Sequence, residues 1–498
     1  MNPPLRPAAH VATLLHRFGG RVAVRDAAGA ATYREVFGHA AGIAAALLAA
    51  GVKPGERVGT YFRNGRAAVA ASYGALIAGA AETPFNIAYT DAEITGLLAL
   101  AGCRHVICAR EHAARFADFG SVVHVSEAIE AALLDPAYFP AVDPALDGRL
   151  AFTSGTTGLP KAIVYSQRAR FLANALLQAH LPWLPGPGSR LLAMTPFAHG
   201  ASLQTFAWLD QGGEVCLLDG VQLDRIEPMF SQGEIEGLFA APTVLAKFSA
   251  AFAGRRFVGV RTIFTGTAPL PPLLYRSVRD MFGPVVRITY GKSEVFNPIT
   301  VLPPEDTDEY YAAGGGGDGS ACVGWPAAGV ELAVENDEVM IRAQHMSSGF
   351  IDNDGFHLWR ADGFHATGDI GEIDERGRLH LRARLSDAMK SGGYKIYPQE
   401  IERALAPVGD ITIVGFPSEY WGEIITAVAE NPAPGWEEAA RAACAELAPY
   451  KHPRFFCAVG ELPRNGQGKL VRRHLLTALR QRYVLRDGPR PSLTLGQE

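Results

Sequence analysis

Helix-start signals that alternate with strand-like runs constrain the fold of this chain more than any other feature. Residues 32–35 and 90–93 both read Thr-x-x-Glu, which is capping-box spacing, and each leads into an apolar segment. The first of these segments, residues 36–50, is rich in alanine and leucine and stops at Gly51, as helices commonly do. Between the two, residues 57–62 read as a β-strand. Alternating strands and helices predict an α/β fold.

The chain is long enough for more than one domain. At 498 residues, with 48% apolar and 19% charged side chains, it can bury a large core. The strand pattern breaks near Ser386, and the remainder has its own helix at residues 398–406 and its own strand at residues 411–415. We therefore expect a first domain over residues 1–385 and a smaller one over residues 386–498.

Charge and cysteine content exclude several classes of function. The 46 basic and 51 acidic residues leave a net charge of −5, which provides no field for binding nucleic acid or a membrane surface. The six cysteines lack the C-x-x-C spacing of a zinc or redox site and favour a reduced setting. No apolar run reaches membrane-spanning length, and the first residues lack the pattern of a signal peptide. We expect a cytoplasmic protein without a membrane span.

A loop at residues 153–161 has the chemistry of a phosphate site. It holds two glycines, four hydroxyl side chains and a lysine, directly after the apolar run 150–152. Glycine lets backbone N–H groups approach a phosphate, hydroxyls donate hydrogen bonds, and lysine supplies a compact positive charge. A plain polar turn is the alternative, but such turns seldom combine all three properties. The candidate phosphate-binding residues are Thr153, Ser154, Gly155, Thr156, Thr157, Gly158 and Lys161.

The rival phosphate motif, the Walker loop of P-loop NTPases, does not fit this segment. A Walker loop has glycine immediately before its lysine, whereas Pro160 stands before Lys161. It also leads into a helix whose N-terminus faces the phosphates, whereas residues 162–166 are β-prone. We therefore predict a phosphate loop that leads into a strand.

The loop resembles the phosphate loop of the adenylate-forming, or AMP-binding, superfamily, whose usual form is Tyr/Phe-Thr-Ser-Gly-Ser/Thr-Thr-Gly-x-Pro-Lys-Gly. That superfamily includes acyl-CoA synthetases, peptide-synthetase adenylation domains and luciferases. The chain departs from the form only at Ala162, where the family has glycine. The resemblance implies an α/β protein with a large, multi-layered N-terminal domain and a small, mobile α+β C-terminal domain.

Further segments resemble family motifs and occur in the family's order. Residues 195–200 resemble the motif that lines the acyl pocket, which places His199 near the carboxylic acid, although an isolated histidine is more often structural. Residues 239–243 and 265–270 resemble two further walls of the site, and by themselves both would read as loops. The resemblance implies acyl-group contacts at His199, Ala241 and Gly266 and adenine contacts at Thr267, Ala268 and Pro269.

The pentapeptide that begins at Tyr290 reads Tyr-Gly-Lys-Ser-Glu and resembles the family's Tyr-Gly-x-Thr-Glu. The resemblance implies that Tyr290 stacks on adenine, with Gly291 and Ser293 beside the nucleotide, and that Glu294 holds Mg²⁺. One glutamate is enough because Mg²⁺ bridges phosphates and keeps several waters. Lys292 occupies the variable position, which faces the acyl pocket in the family, and a solvated lysine is the alternative.

Residues 363–369 resemble the family motif whose aspartate, here Asp369, accepts hydrogen bonds from both ribose hydroxyls. From Arg384 onward the chain resembles the hinge and the thioester-forming loop of acyl-CoA synthetases, with Arg384 able to reach the nucleotide. Two departures occur there. Ala383 replaces a glycine, and Ser386 stands where the family usually carries aspartate or lysine at the hinge.

The last two motifs belong to the expected C-terminal domain. The resemblance implies that the pantetheine arm of CoA passes Ser391, Gly392, Gly393 and Tyr394, where two glycines allow a close approach to backbone. Residues 462–469 resemble the closing motif, whose lysine, here Lys469, bridges the acyl carboxylate and the α-phosphate. Outside this ordered series, a lysine after a glycine turn would be read as a surface residue.

Together the motifs imply an ATP-dependent acid–thiol ligase that forms AMP. It would convert a small-molecule carboxylic acid and ATP into an acyl-adenylate and pyrophosphate, and then pass the acyl group to CoA. The implied ligands are ATP, Mg²⁺ and CoA, and the implied catalytic residues are Lys469, Glu294, Thr153 and Lys161. Two alternatives stay open: an adenylation enzyme that loads the pantetheine of a carrier protein, and an inert nucleotide-binding protein. The acid is unassigned, and a homodimer stays open as well.

Overall fold

The computed structural model describes residues 3–154, 160–316, 320–445, 447–464 and 470–496, with the backbone alone for Ser154 and Pro160. It divides into two units. The first comprises Met1–Ala313, Val323–Leu332 and Ile341–His365, and the second comprises Gly314–Cys322, Ala333–Met340 and Ala366–Glu498. The domain boundary expected at residue 386 stays a prediction.

The α-helices of the described residues are, in chain order, α1 Pro7–Phe18, α2 Tyr33–Ala49, α3 Arg66–Ile77, α4 Asp91–Ala101, α5 Ala113–Asp118, α6 Gln167–Ala179, α7 Ser202–Leu209, α8 Leu223–Ser231, α9 Pro242–Ala251, α10 Pro272–Phe282, α11 Pro304–Ala312, α12 Pro398–Leu405, α13 Trp436–Ala443 and α14 Arg472–Arg482.

The strands are β1 Val22–Asp26, β2 Gly29–Thr32, β3 Arg57–Tyr61, β4 Ala81–Pro84, β5 His105–Cys108, β6 Val122–Val125, β7 Asp147–Ser154, β8 Pro160–Ser166, β9 Arg190–Ala193, β10 Glu214–Leu217, β11 Gly237–Phe239, β12 Thr262–Thr265, β13 Val286–Lys292, β14 Val295–Leu302, β15 Ala321–Pro326, β16 Val330–Glu335, β17 Glu338–Ala343, β18 Gly349–Asp352, β19 Gly355–Leu358, β20 His365–Ile373, β21 Leu379–Arg384, β22 Met389–Ser391, β23 Tyr394–Ile396, β24 Ile411–Ser418, β25 Gly422–Glu430, β26 Phe455–Val459, β27 Tyr483–Arg486 and β28 Ser492–Leu495.

The helix-start signals act as predicted. The hydroxyl of Thr32 accepts a hydrogen bond from the backbone N–H of Glu35, while the Glu35 carboxylate accepts from the Thr32 N–H at 2.6 Å, which closes a capping box on α2. Thr90 and Glu93 form the same box on α4. Each box satisfies N–H groups that a helix start leaves unpaired, and losing such a cap costs about 0.5–2 kcal/mol. The predicted α/β fold is confirmed.

Two sheets organise the first unit. In one, the strands lie in the order β14-β13-β12-β11-β9-β10-β1-β2, and the run from β13 to β1 is parallel. In the other, the order is β19-β18-β8-β7-β4-β3-β5-β6, with β7, β4, β3, β5 and β6 parallel. Parallel strands place their carboxyl ends at one edge of a sheet, so each sheet has one edge lined by the residues that follow its strands.

A large aromatic and aliphatic core holds the helices of the first unit against its sheets. Its members include Tyr33, Phe37, Tyr73 and Trp208, each at most 1% exposed. The hydroxyl of Tyr33 lies 2.8 Å from the backbone oxygens of both Leu209 and Gly213, so this polar group is not left unpaired. Each large side chain contributes about 1.5–3 kcal/mol when it is fully buried.

The second unit is smaller. Its sheet runs β23-β22-β25-β24, with β26 paired parallel to β25, and α12 packs beside it. Strands β20 and β21 form an antiparallel pair, as do β27 and β28. None of the described helices is both long and apolar enough to cross a membrane.

Candidate active site at the carboxyl edges of two parallel sheets

The predicted acyl and adenine segments all lie at the carboxyl ends of neighbouring parallel strands. Residues 195–200 follow β9, residues 240–243 follow β11, residues 266–270 follow β12, and Tyr290 lies near the end of β13. These four strands are consecutive in the sheet, in the order β13-β12-β11-β9. The segments therefore lie along one edge, although up to about a hundred residues separate them in the chain.

The direction in which the chain adds strands to the sheet reverses at β9. From β9 the chain moves to β10 on one side, then returns to β11 on the other side of β9 and continues outward to β12 and β13. Loops that leave the sheet in opposite directions open a crevice at such a point, and α/β proteins bind ligands there. The crevice lies between the segment of His199 and the segment of Ala241.

The two sides of that crevice touch. A Cβ atom on Gly200 would lie 3.1 Å from Cζ of Phe239, so the glycine lets the aromatic ring approach the backbone beside His199. Phe239 precedes Ala241 by two residues and is 9% exposed. The structure thus brings together the predicted acyl residues His199 and Ala241 through a glycine and a phenylalanine.

Two asparagines from the other sheet hold the His199 segment. Asn64 follows β3; its Nδ2 donates to the backbone oxygen of Thr195 at 2.8 Å, and its Oδ1 accepts from the N–H of Phe197 at 2.7 Å. Asn86 follows β4, and its Nδ2 lies 3.1 Å from Nε2 of His199. The carboxyl edges of the two sheets therefore meet at His199. Sequence analysis missed both asparagines, because nothing local marks a partner more than a hundred residues away.

A buried cluster of charges lies behind His199. Glu82 is paired with Arg149 at 3.3 Å and with Arg170 at 3.1 Å, and all three side chains are at most 8% exposed. Arg149 also donates to Ser202 at 2.9 Å, and the Ser202 hydroxyl donates to the His199 backbone oxygen. Burial and, secondarily, the positive charge of Arg149 lower the pKa of His199 to about 4.

The phosphate loop joins β7 to β8. The two strands are antiparallel with Thr153 opposite Lys161, and β7 runs parallel to β4, so Thr153 lies at the same edge as Asn86. The segment after the loop is a strand, which confirms the predicted difference from a Walker loop. The predicted residues Gly155, Thr156, Thr157 and Gly158, and Lys469 in the closing motif, lie outside the described residues.

Lys161 is directed by an aromatic ring. Strand β18 pairs with β8 so that Phe350 lies opposite Ile163. The Lys161 ammonium lies over the Phe350 ring, with Nζ 4.2 Å from the ring centroid. Such a contact attracts the cation while leaving its other faces open to a second ligand. Sequence analysis did not identify Phe350.

The predicted adenine turn has an unusual backbone. Thr267 has φ = +70°, a left-handed conformation that non-glycine residues seldom adopt, and Thr267, Ala268 and Pro269 are all exposed. Before them, a Cβ on Gly266 would lie 2.4 Å from the backbone oxygen of Thr289. Glycine is therefore required for β12 and β13 to stay this close. Backbone strain of this kind concentrates at binding sites.

The segment from Tyr290 to Glu294 crosses from β13 to β14. Tyr290 is 7% exposed, so its ring is largely covered by protein. A Cβ on Gly291 would lie 2.5 Å from Oδ1 of Asn297, so a larger residue there would have to displace the Asn297 side chain. Ser293 is exposed, its backbone oxygen accepts a hydrogen bond from the Tyr165 hydroxyl, and Lys292 is half-buried.

Glu294 is suited to an ion that needs a single protein carboxylate. Its side chain is 22% exposed, and its Oε1 lies 3.8 Å from Nε2 of His365, which packs against Trp359. In the described part of the chain, no three His, Cys, Asp or Glu side chains are grouped to hold a metal. The partly exposed carboxylate of Glu294 would fit Mg²⁺, which prefers oxygen ligands. His365 was not predicted, although it lies inside the motif quoted for Asp369.

In the second unit, Asp369 and Arg384 face each other across β20 and β21. They are register partners, and Nε of Arg384 lies 3.3 Å from Oδ1 of Asp369. Asp369 is 5% exposed, and its backbone N–H donates to the Thr367 hydroxyl at 3.0 Å. The two predicted nucleotide residues are therefore brought together.

The predicted CoA path is a tight hairpin turn. Ser391 and Tyr394 are register partners on β22 and β23, and the residues between them, Gly392 and Gly393, have φ = +56° and +87°. Positive φ at both central residues is the geometry of a type I′ turn and explains the two glycines. Gly392 donates to the Trp421 backbone oxygen at 2.9 Å, whereas the Cβ position of Gly393 is open.

Near the predicted hinge at Ser386, Arg472 links three segments of the second unit. It donates to both carboxylate oxygens of Glu402, at 2.7 and 2.8 Å, and to Oδ2 of Asp387 at 3.0 Å. Ser386, the predicted hinge residue, is exposed, and its hydroxyl lies 3.4 Å from Oδ1 of Asp387. Sequence analysis gave no sign of this cluster.

Comparison with known proteins agrees with this geometry. A family model described as AMP-binding enzyme matches residues 11–349. A Mycobacterium tuberculosis CoA ligase for a methyl-dioxo-octahydroindenyl-propanoyl group is 30% identical over 87% of this chain and 91% of its own length. A 2-succinylbenzoate–CoA ligase from Listeria monocytogenes is 28% identical over 89% of this chain and 93% of its own length.

Among solved structures, the Bacillus subtilis o-succinylbenzoate CoA synthetase in complex with its acyl-adenylate intermediate has the same fold. Its TM-score is 0.82 at 23% identity, and the match covers 95% of this chain and 98% of that one. The fold expected from the resemblance is confirmed. The chain belongs to the AMP-binding enzyme family.

Proposed function

We propose that this protein is an AMP-forming acid–CoA ligase. It joins a carboxylic acid to CoA through an acyl-adenylate, at the expense of ATP. The main supporting observation is that the segments of His199, Ala241, Gly266 and Tyr290 lie at the carboxyl ends of consecutive parallel strands, along one edge of the sheet. Membership of the AMP-binding family and relatives named as CoA ligases support this assignment.

In the first half-reaction, a carboxylate oxygen of the acid attacks the α-phosphorus of ATP. The bond between that phosphorus and the bridging oxygen breaks, and pyrophosphate leaves with the bonding electrons. No proton moves, so the protein's task is to position two anions and to offset their charge. We assign the phosphates to Thr153, Lys161 and the other loop residues, and we assign the meeting point of carboxylate and α-phosphate to Lys469.

We assign Mg²⁺ to Glu294, because its carboxylate is partly exposed and can therefore be reached by an ion. When bound, the ion neutralises charge on the phosphate oxygens. The remaining assignments are adenine at Thr267, Ala268, Pro269 and Tyr290, with Gly291 and Ser293 alongside, and ribose at Asp369, with Arg384 at the nucleotide.

In the second half-reaction, the CoA thiol loses its proton to solvent and its sulfur attacks the acyl carbon. The bond from that carbon to the phosphate oxygen breaks, and AMP leaves. The mixed anhydride is already activated, so no protein nucleophile is needed. We assign the pantetheine arm to the turn formed by Ser391, Gly392, Gly393 and Tyr394.

The acid lies beside His199, Ala241, Gly266 and Lys292 in this proposal. Two of the relatives are named for 2-succinylbenzoate and for a dioxo-octahydroindenyl propanoyl group, both of which carry oxo groups in addition to the carboxylate. We infer an acid with a second polar group, for which Lys292 is a suitable partner. Pocket walls shift selectivity by only about 1–3 kcal/mol per methylene, so motifs do not define its size.

The test is a panel of monocarboxylic, dicarboxylic, oxo and aromatic acids with ATP, Mg²⁺ and free CoA. We expect a thioester and AMP from at least one acid, and Lys292→Met should reduce the preference for acids with a second polar group. Unchanged preference would remove the role of Lys292. If a thioester forms only on an added pantetheinylated carrier protein, the acyl acceptor is that carrier protein and not CoA.

The cytoplasmic setting and a homodimer stay predictions. Six buried cysteines without disulfides support the first.

A further inference from the structure

The hydrogen bonds of Asn86 define which atom of its amide faces His199. The backbone N–H of Ala88 donates to Oδ1 of Asn86 at 2.9 Å. Oδ1 is therefore the acceptor on the Ala88 side, and Nδ2, which can only donate, is the atom 3.1 Å from Nε2 of His199. Asn86 is 6% exposed, so solvent does not compete for either contact.

A donor at Nε2 sets the protonation of the imidazole. Nε2 must accept, so it carries no hydrogen, and the single hydrogen of the neutral ring is on Nδ1. In the described part of the chain, Nδ1 has no hydrogen-bond partner. We propose that Asn86 is a positioning residue that holds His199 as the neutral Nδ1–H tautomer and so reserves Nδ1–H as a donor for the bound acid or its adenylate.

The charges around His199 support the same state. Arg149 is on β7 and Arg170 is on α6, and both pair with the one carboxylate of Glu82, which leaves a local excess of positive charge. That excess and burial both oppose an imidazolium, in line with a pKa lowered to about 4. At pH 7 the ring would then be neutral.

The assignment of the donor to the acid rests on the proposed function, but the tautomer does not. A neutral donor suits a carbonyl, carboxylate or phosphate oxygen and attracts no anion from bulk solvent. His199 lies beside the crevice, where Gly200 packs against Phe239. The Nδ1–H donor is therefore in the segment that we assign to the acyl group.

The test is Asn86→Asp, which removes the hydrogen-bond donor of the side chain and keeps its acceptor. The carboxylate keeps an oxygen for the N–H of Ala88 but replaces the donor at Nε2 by an acceptor. Nε2 should then take up a proton, and the new negative charge should raise the pKa of His199 by about 1–3 units. Nitrogen-15 spectra of histidine-labelled protein report tautomer and charge directly. His345 is an internal reference of opposite tautomer, because its Nε2 faces the Pro298 carbonyl oxygen at 3.0 Å.

We expect the wild type to show Nδ1–H at His199 at pH 7 and Asn86→Asp to show Nε2–H or imidazolium. We also expect the KM for the acid to rise about 2- to 10-fold, the worth of one hydrogen bond, with the KM for ATP unchanged. An Nε2–H tautomer or an imidazolium in the wild type would overturn the proposal, as would an unaltered ring in a folded Asn86→Asp. If that variant does not fold, the wild-type spectrum still decides. If the wild type shows the expected tautomer but adenylates no acid, the proposed function is wrong and the tautomer assignment stands.

Discussion

At the scale of single residues, Lys161 is held by an aromatic ring as well as by its own strand. Its ammonium lies 4.2 Å from the centroid of the Phe350 ring. A partly buried cation–π contact is worth about 0.5–2 kcal/mol, less than a fully charged hydrogen bond to phosphate. In the proposed function, the ring therefore positions the lysine without competing with the triphosphate for it.

We expect Lys161→Met to lower acid-dependent pyrophosphate exchange ~100-fold or more, because one preorganised charge at a developing phosphate charge is worth about 2.7–4 kcal/mol. Methionine keeps most of the apolar stem. The matched control is Phe350→Leu, which removes the ring and keeps the charge, and it should cost under about tenfold. Equal losses in the two variants would contradict a role for the charge. Urea unfolding of both proteins shows whether the fold has changed.

The sequence could not predict which distant residues contact the motif residues of the site. Asn86 and His199 are 113 positions apart, and the contacts of Glu294 with His365 and of Lys161 with Phe350 likewise join distant segments. A motif defines which residue types stand together locally. Only tertiary packing defines what they face.

At the scale of elements, local signals predicted much of the secondary structure. The capping boxes at Thr32 and Thr90 begin α2 and α4, and the strand expected at residues 57–62 is observed as Arg57–Tyr61. The strand order was not predicted. The reversal at β9 depends on which side of β9 each helical connection returns to the sheet. No residue pattern within β9 indicates that side.

The Gly392–Gly393 turn is the element that we assign to the pantetheine arm. We expect Gly393→Trp to slow acyl transfer to CoA by about tenfold or more while sparing pyrophosphate exchange, because bulk in the proposed path misplaces the thiol. The matched control is Gly393→Asn, since asparagine tolerates the positive φ of +87° at this position and adds little bulk. The measurement is thioester formation from supplied acyl-adenylate. Full transfer by Gly393→Trp would argue against a pantetheine path at this turn.

At the scale of the whole molecule, our proposal assigns the two half-reactions to different residues of the second unit. We assign Lys469 to adenylation and Gly393 to thioester formation, and both reactions take place at the same acyl carbon. The family model ends at residue 349, before most of this unit, whereas the relatives match this chain over 87–89% of its length.

Lys469→Ala should therefore separate the half-reactions. We expect acid-dependent pyrophosphate exchange to fall ~100-fold or more, because a charge between two reacting anions is lost, while CoA transfer from supplied acyl-adenylate stays close to wild type. Parallel assays of the two steps on one preparation make the comparison. Equal loss of both would contradict separate roles for Lys469 and Gly393.

The most direct measurement is acid-dependent exchange of labelled pyrophosphate into ATP by the wild-type protein, followed by addition of CoA. The account predicts no exchange without an acid, exchange with an accepted acid, and equal amounts of acyl-CoA and AMP once CoA is present. Formation of ADP and phosphate, or ATP binding without exchange for every acid in the panel, would contradict it.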